Sequence, residues 1–392
     1  MQNLAQVGFT RQNIIDALHA GNRHVSFRYE LLDLNNLYKA DITNKILSAS
    51  VGHQALSQTK RTASFDIIDD ETIDFLSDRI KPYVRLVMRG VSSTVSQVYQ
   101  GNQSWPVLLA TGTVYVEWPL GVFLLSTPLR KAGKGGVIER KVAAYDQTQV
   151  LVDDIIASRY TIETGTNYIT AIKALLDSAG VTNQNLAPTA NTLPITRDWE
   201  PGKTKLAIIN DLLESINYLA IYFDENGVAI AQPYTSPTIR ASEYTYATDL
   251  KSVVMPEAID HFDLVDVPNK WVLTVSNPEQ TPLTSTTTNE NVDSPTSYQS
   301  RGNRWITRFE QVEAATQEVL DAKAERMKQE ASQIYRKFEW ESLIMPMHSH
   351  FDVYTLEIDE LGFSEKVSET SWSMELKADA LMKHSCRKIV EV

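Results

Sequence analysis

From Val25 to about Asp153 the chain alternates between apolar and polar side chains, and that alternation limits its folding options more than any other feature. In 61-RTASFDI-67, Ala63, Phe65 and Ile67 share one phase while Thr62, Ser64 and Asp66 share the other. Successive side chains point to opposite faces in an extended strand, so the segment reads as a strand buried on one side and wet on the other. Comparable short runs bounded by turn residues occur at 25–33, 46–53, 61–69, 83–90, 107–118, 121–127 and 137–146. So many strands in one block predict a barrel or a sandwich, with the polar 129–136 stretch as a hairpin tip.

Helical periodicity appears elsewhere. Thr10 is placed to cap a short helix carrying Ile14, Ile15 and Leu18 on one face, with Gly21 after it. In a second block, 154–235, Ile169, Ile172, Leu175 and Leu176 repeat at helical spacing before Gly180, and Leu206, Ile209, Leu212, Leu213 and Ile216 do so after Thr204. The stretch 218–234 reads as two strands turning at Glu225, Asn226 and Gly227, which completes a small α/β domain. The third block, 236–392, starts with a strand at 270–277. A long loop over 278–304, rich in Ser, Thr and Asn, comes next. A long amphipathic helix follows over 311–336, with Val312, Ala315, Val319, Ala322, Met327, Ala331 and Ile334 as its apolar stripe, and strands return at 338–345, 352–358 and 370–378. The fold class is therefore α+β, mainly β, in three parts: 1–153, 154–235 and 236–392.

At 392 residues and 43% hydrophobic composition the chain buries a core without staples, and its single cysteine, Cys386, excludes an internal disulfide. A lone thiol there reads as an apolar filler. The formal charge of −12 argues against a general nucleic-acid binder, which needs clustered Lys and Arg to neutralise phosphates. No membrane span is expected, and the start MQNLAQVGFT lacks the basic and apolar regions of a signal peptide.

Catalytic and metal motifs are nearly absent. The sequence 201-PGKTK-205 ends like a phosphate-binding loop, but Arg197 stands where its first glycine belongs, so Thr204 reads as a helix cap. In 348-HSHFD-352 an extended strand would put His348, His350 and Asp352 on one face, a possible zinc set. Pro346 interrupts that strand, so these histidines are expected to be solvated. His19, His24, His53, His261 and His384 show no metal spacing. Asp69, Asp70 and Glu71, and likewise Asp153 and Asp154, sit at predicted strand ends and read as solvated charge rather than glycosidase carboxylates. No nucleophile elbow occurs, and Trp118, Trp271 and Trp340 lie in strand patterns that favour core packing over sugar stacking. The expectation is therefore no catalytic, cofactor-binding or metal residue, no cofactor, and no enzymatic activity.

Several stretches together resemble a known family. These are 25-VSFRYELLD-33, 46-ILSASVGHQALSQTKRTASFDIID-69 and 118-WPLGVFLLSTP-128; then 160-YTIETGTNYITAIKALLDSAG-180, 199-WEPGKTKLAIINDLL-213 and 226-NGVAIAQPY-234; and finally 293-DSPTSYQSRGNR-304. In this order they resemble the minor tail or baseplate hub proteins of long-tailed bacteriophages. The resemblance implies two β-barrel domains of the tail-tube type, one from 25–153 and one from 250–275 plus 338–378. It also implies a homotrimeric virion protein at the tail tip that adapts a sixfold tube to a threefold tip and lines the channel for genome DNA. Its implied partners are the distal tail protein ring, the tape measure protein, and tail spike or fibre proteins. Some family members continue into wall-degrading or receptor-binding domains; because this sequence ends soon after its last predicted strands, such activities are expected from separate chains. A carbohydrate-binding tail module and a cell-wall hydrolase are the alternatives.

Overall fold

The computed structural model describes all residues except 7, 89–93, 99–103, 109–113, 127–128, 133–137, 250–251, 263–266, 276–281, 334–335 and 390–392, with the side chains of 94–98, 104–108, 262 and 333 also outside the description. The chain is mainly β, and most strands of the first and third blocks belong to one 15-stranded sheet, apart from the hairpin Thr94–Val98 with Ser104–Leu108 and a three-stranded sheet in the third block. Along that sheet run Val254–Phe262, Arg336–Leu343, Leu381–Lys388, Phe363–Glu375, Ile46–Gln54, Arg61–Ile68, Ile138–Asp146, Phe123–Leu125, Arg79–Met88, Val25–Leu32 and Tyr38–Asp41. Leu129–Ala132, Val114–Pro119, Val353–Ile358 and Thr245–Ala247 attach as branches. The pairings of the described residues trace no closed barrel; Val254–Phe262 and Tyr38–Asp41 are the end strands of the path.

One strand makes the join. Phe363–Glu375 pairs its first half with Val353–Ile358 and its last residues, Ser371–Glu375, with Gln54–Ser50. On its other side it pairs with Leu381–Lys388, where the register shifts between Glu369 and Ser371. A bulge inserts an extra residue and resets the pleat, and here buried positions change from odd (Val367, Glu369) to even (Trp372, Met374). Both Glu369 and Trp372 therefore face inward, and one hydrophobic core extends from Leu4 and Phe65 of the first block to Phe338, Trp372 and Cys386 of the third.

The strand expectations for 25–33, 46–53, 61–69 and 137–146 match Val25–Leu32, Ile46–Gln54, Arg61–Ile68 and Ile138–Asp146. Phe65 and Ile67 are fully buried, as the alternation requires. The run at 107–118 is instead divided between Ser104–Leu108 and Val114–Pro119, and part of the 129–136 tip lies outside the described residues. Helix α1 (Arg11–His19) carries the expected cap, with the Thr10 side chain accepting from the Asn13 amide.

Helices α2 (Thr148–Asp153), α3 (Tyr168–Ser178) and α4 (Lys205–Glu214) build a second core with Trp199, Ile221, Phe223 and Ala229. Small sheets enclose it, including the hairpin Tyr222–Phe223 and Ala229–Ala231.

Three third-block expectations need correction. The strand Lys270–Val275 does not join the large sheet; it lies between Leu283–Thr288 and Thr307–Gln311 in a separate three-stranded sheet under helix α5 (Gln317–Gln333). Val254–Phe262 takes its place in the large sheet. The long loop expected over 278–304 holds regular structure in its described part, 282–304: Leu283–Thr288 is a strand, and Asn289, Ser294, Thr296 and Ser297 are buried in a hydrogen-bonded knot, Asn289 Nδ2 donating to Ser294 Oγ at 2.9 Å. Its polar composition hid this because buried hydroxyls and amides that satisfy one another need no apolar pattern. Finally, the long helix begins at Gln317 rather than 311, because Thr316 caps it and residues 307–311 are drawn into the strand. Its buried stripe is Leu320, Ala324 and Ala331, flanked by Val319 and Met327, while Ala322 is exposed.

Candidate functional site

Among the described residues, a group of buried titratable side chains meets in the core, close to the strand that joins the two blocks. The segment 344–352 connects Arg336–Leu343 to Val353–Ile358, and it turns into the core instead of continuing as a strand. Ile344, Met345 and Met347 anchor it, and the Trp372 indole donates to the Ser349 carbonyl at 3.2 Å. His348 and Asp352 thereby become buried, correcting the expectation of solvated histidines. The strand ends at Leu343, ahead of Pro346, and the segment after it packs inward because its methionines are apolar.

His348, Glu369 and His384 converge, with one donor atom from each lying within 4.8 Å of the others. His384 comes from Leu381–Lys388 and its Nδ1 is 3.1 Å from Glu369 Oε1; its ring stacks on Trp340 with centroids 4.1 Å apart. His348 Nδ1 lies 3.4 Å from Glu369 Oε2 and 3.1 Å from Asp352 Oδ2. The outer nitrogens are held as well: His348 Nε2 meets the Tyr246 hydroxyl at 2.7 Å and His384 Nε2 meets Ser342 Oγ at 2.9 Å. Asp352 also pairs with the Met1 amino group at 2.7 Å.

The hydrogen-bond directions at His384 follow from Ser342. Its hydroxyl proton is committed to the Leu343 carbonyl at 2.7 Å, so Oγ accepts from His384 Nε2–H. Burial lowers the His384 imidazole to about 3 and keeps it neutral, so its Nδ1 presents a lone pair to Glu369. Burial also pushes the Glu369 carboxyl up to about 8, with the charge of His348 and a hydrogen bond from Tyr354 opposing the rise and Asp352 adding to it. Glu369 Oε2 and His348 Nδ1 are buried without an aligned hydrogen-bond partner. The His384 lone pair and the carboxyl groups of Glu369 and Asp352 thus converge on a buried point beside His348, a situation that calls for a proton or a cation.

His350 does not join this group. Its Nδ1 is 3.1 Å from His53 Nε2, and its ring stacks on Tyr222 at 4.0 Å, so of the three candidate ligands His348, His350 and Asp352 only His348 and Asp352 meet. Burial first, then the charges of neighbouring cations, hold His53 and His350 well below the ordinary histidine range. The remaining sequence candidates are accounted for locally. Thr204 caps α4, its Oγ1 accepting from the Ala207 amide at 3.1 Å, and Asp69 and Asp70 pair with Arg140, Arg130 and Lys45. Trp118, Trp271 and Trp340 are core residues and Cys386 is fully buried. Sequence reading missed Glu369 and His384. The available signal was a polar residue on an apolar phase: Met382, His384 and Cys386 alternate together.

No family model matches the chain, and no curated protein matches it by sequence. Solved structures do match. The tail protein from Neisseria meningitidis MC58 has a TM-score of 0.61 at 11% identity, covering 93% of this chain and 96% of its own. The chain has the fold of a tail protein. The 43 kDa tail protein of prophage MuSo2 from Shewanella oneidensis has a TM-score of 0.55 at 12% identity, covering 92% of this chain and 98% of its own. This likeness in fold agrees with the resemblance to phage tail and baseplate proteins carried by the sequence motifs. Among the described residues, no helix is long and apolar enough to cross a membrane.

Proposed function

We propose that this chain is a non-enzymatic structural protein of a phage tail, acting as the trimeric hub of the tail tip. The observation that carries the reading is the likeness of fold to a tail protein over 93% of the chain. Supporting it, the sheet has open end strands at Tyr38–Asp41 and Val254–Phe262. Around them Leu34, Leu37, Tyr38 and Ile259 are more than half exposed. Unpaired edges flanked by apolar side chains favour pairing with another chain.

In this reading the parts 1–153 and 236–392 each supply one tube-type β-barrel, and 154–235 decorates them. Three copies then present six barrels to a sixfold tube above and a threefold surface to a spike or fibre below. The distal tail protein ring and the tape measure protein are its neighbours within the virion. The charge of −12 suits a channel through which genome DNA passes without adhering.

Mass measurement across a concentration series, and on isolated tails, tests the assignment. Trimers in the tail support it; a chain that is monomeric both in solution and in intact tails refutes it.

A further inference from the structure

We propose that His348, Glu369 and His384 hold a structural divalent transition-metal ion, of the zinc type, within the core. The proposal goes beyond a tail-hub role and does not depend on it. Zinc sits about 2.0–2.2 Å from imidazole nitrogen and carboxylate oxygen, so tetrahedral donors stand about 3.3–3.5 Å apart. Each histidine nitrogen stands near that spacing from one oxygen of Glu369, His384 Nδ1 at 3.1 Å from Oε1 and His348 Nδ1 at 3.4 Å from Oε2, and one atom from each of the three residues falls within 4.8 Å of the others, so small side-chain shifts close the set on one ion. Asp352, whose Oδ2 is 3.1 Å from His348 Nδ1, adds a second negative charge beside the ion.

Protonation satisfies the cluster less well. A proton on Glu369 Oε1 serves His384 Nδ1, and a proton on His348 Nδ1 would face Asp352 Oδ2 at 3.1 Å, but neither His348 Nδ1 nor Glu369 Oε2 makes an aligned hydrogen bond. A cation between the three donors satisfies both contacts together. The surroundings also have the form of a metal shell. Metal-binding histidines use one ring nitrogen for the ion and fix the other through a hydrogen bond. Here the inward nitrogens are both Nδ1, and the outward Nε2 atoms are held by Tyr246 and by Ser342, whose own proton is committed elsewhere. Because every donor is buried, the ion would enter as the chain folds.

The full chain, unfolded in denaturant with chelator and refolded with Co(II) or Zn(II), provides the test. We expect about one equivalent bound, visible d–d absorption for Co(II) typical of tetrahedral coordination, and a higher Tm with Zn(II) than without metal. His384→Gln and Glu369→Gln should weaken Co(II) binding by at least about 100-fold, and the milder Ser342→Ala by about 10-fold, since outer-shell losses alone cost about 10–100-fold. His350→Gln, outside the cluster, should retain binding. If the ligand variants do not fold, the Ser342→Ala titration decides. A refolded chain with no bound metal and a Tm indifferent to Zn(II) overturns the proposal. Binding that survives His384→Gln and Glu369→Gln, or that is unchanged in Ser342→Ala, also overturns it, by placing the ion elsewhere.

Discussion

Replacing Trp372 with alanine probes the seam between the two blocks. Trp372 is 2% exposed and sits opposite His53 where Phe363–Glu375 pairs with Ile46–Gln54. Its ring stacks on His53 with centroids 5.7 Å apart, and its indole donates to the Ser349 carbonyl at 3.2 Å. Truncating a buried tryptophan costs about 3–5 kcal/mol, and leaving the partly buried Ser349 carbonyl without its donor adds up to about 1 kcal/mol, so Trp372→Ala should remove about 3–6 kcal/mol. Equilibrium urea unfolding followed by far-UV circular dichroism measures the loss. Because both blocks share one core, Trp372→Ala should displace the unfolding of both, and a double-mutant cycle with His53→Ala should give a coupling of about 0.5–3 kcal/mol. A loss below about 1 kcal/mol, or a first block that unfolds at its original midpoint, would refute the idea of a shared core across the seam.

Phe65 is fully buried, edge-on to the rings of Tyr29 and Phe123, so Phe65→Asp should abolish folding by burying an unpaired charge, as soluble expression would reveal. His350→Ala, at a position expected from sequence to be solvated, should lower Tm measurably because the ring is stacked on Tyr222. At Gly52 an added Cβ meets only ordinary contacts, the nearest at 3.6 Å, so Gly52→Ala should be tolerated; Gly121, at φ +142° with the Phe123 ring 2.9 Å from that Cβ, should not accept alanine, and paired thermal melts would show the contrast. His53 faces Arg61, Lys60, His350 and Asp352, and its folded pKa lies below the unfolded value near 6.5. The unfolded chain therefore binds the extra proton below pH 6.5, and stability falls as pH drops through that window, by about 1.4 kcal/mol per unit. Subtracting the stability profile of His53→Gln from that of the parent should isolate this slope, and a flat difference would contradict the burial of His53.

Local chemistry was readable from the linear chain wherever one residue's neighbours decide its role. Alternation at Ala63, Phe65 and Ile67 sufficed for a strand, and Thr10 and Thr204 sufficed for helix starts, because side-chain direction and capping are set within a few residues. The same locality explains the failures. The stretch 278–304 read as a long loop because its buried Asn289, Ser294 and Thr296 satisfy one another instead of forming an apolar stripe. His350 was grouped with His348 by spacing alone, whereas a turn sends one ring toward His53 and the other toward Glu369.

Sequence by itself determined a mainly β chain with capped helices, an acidic balance and no recognisable catalytic motif. Tertiary structure decided that the first and third blocks share a single sheet and core, and that His348, Glu369 and His384 meet. Strand phase depends on adjacent residues and is written locally. Pairing across hundreds of residues, and the bulge at Glu369 that turns its carboxylate inward, depend on which surfaces remain to be buried once the strands have formed.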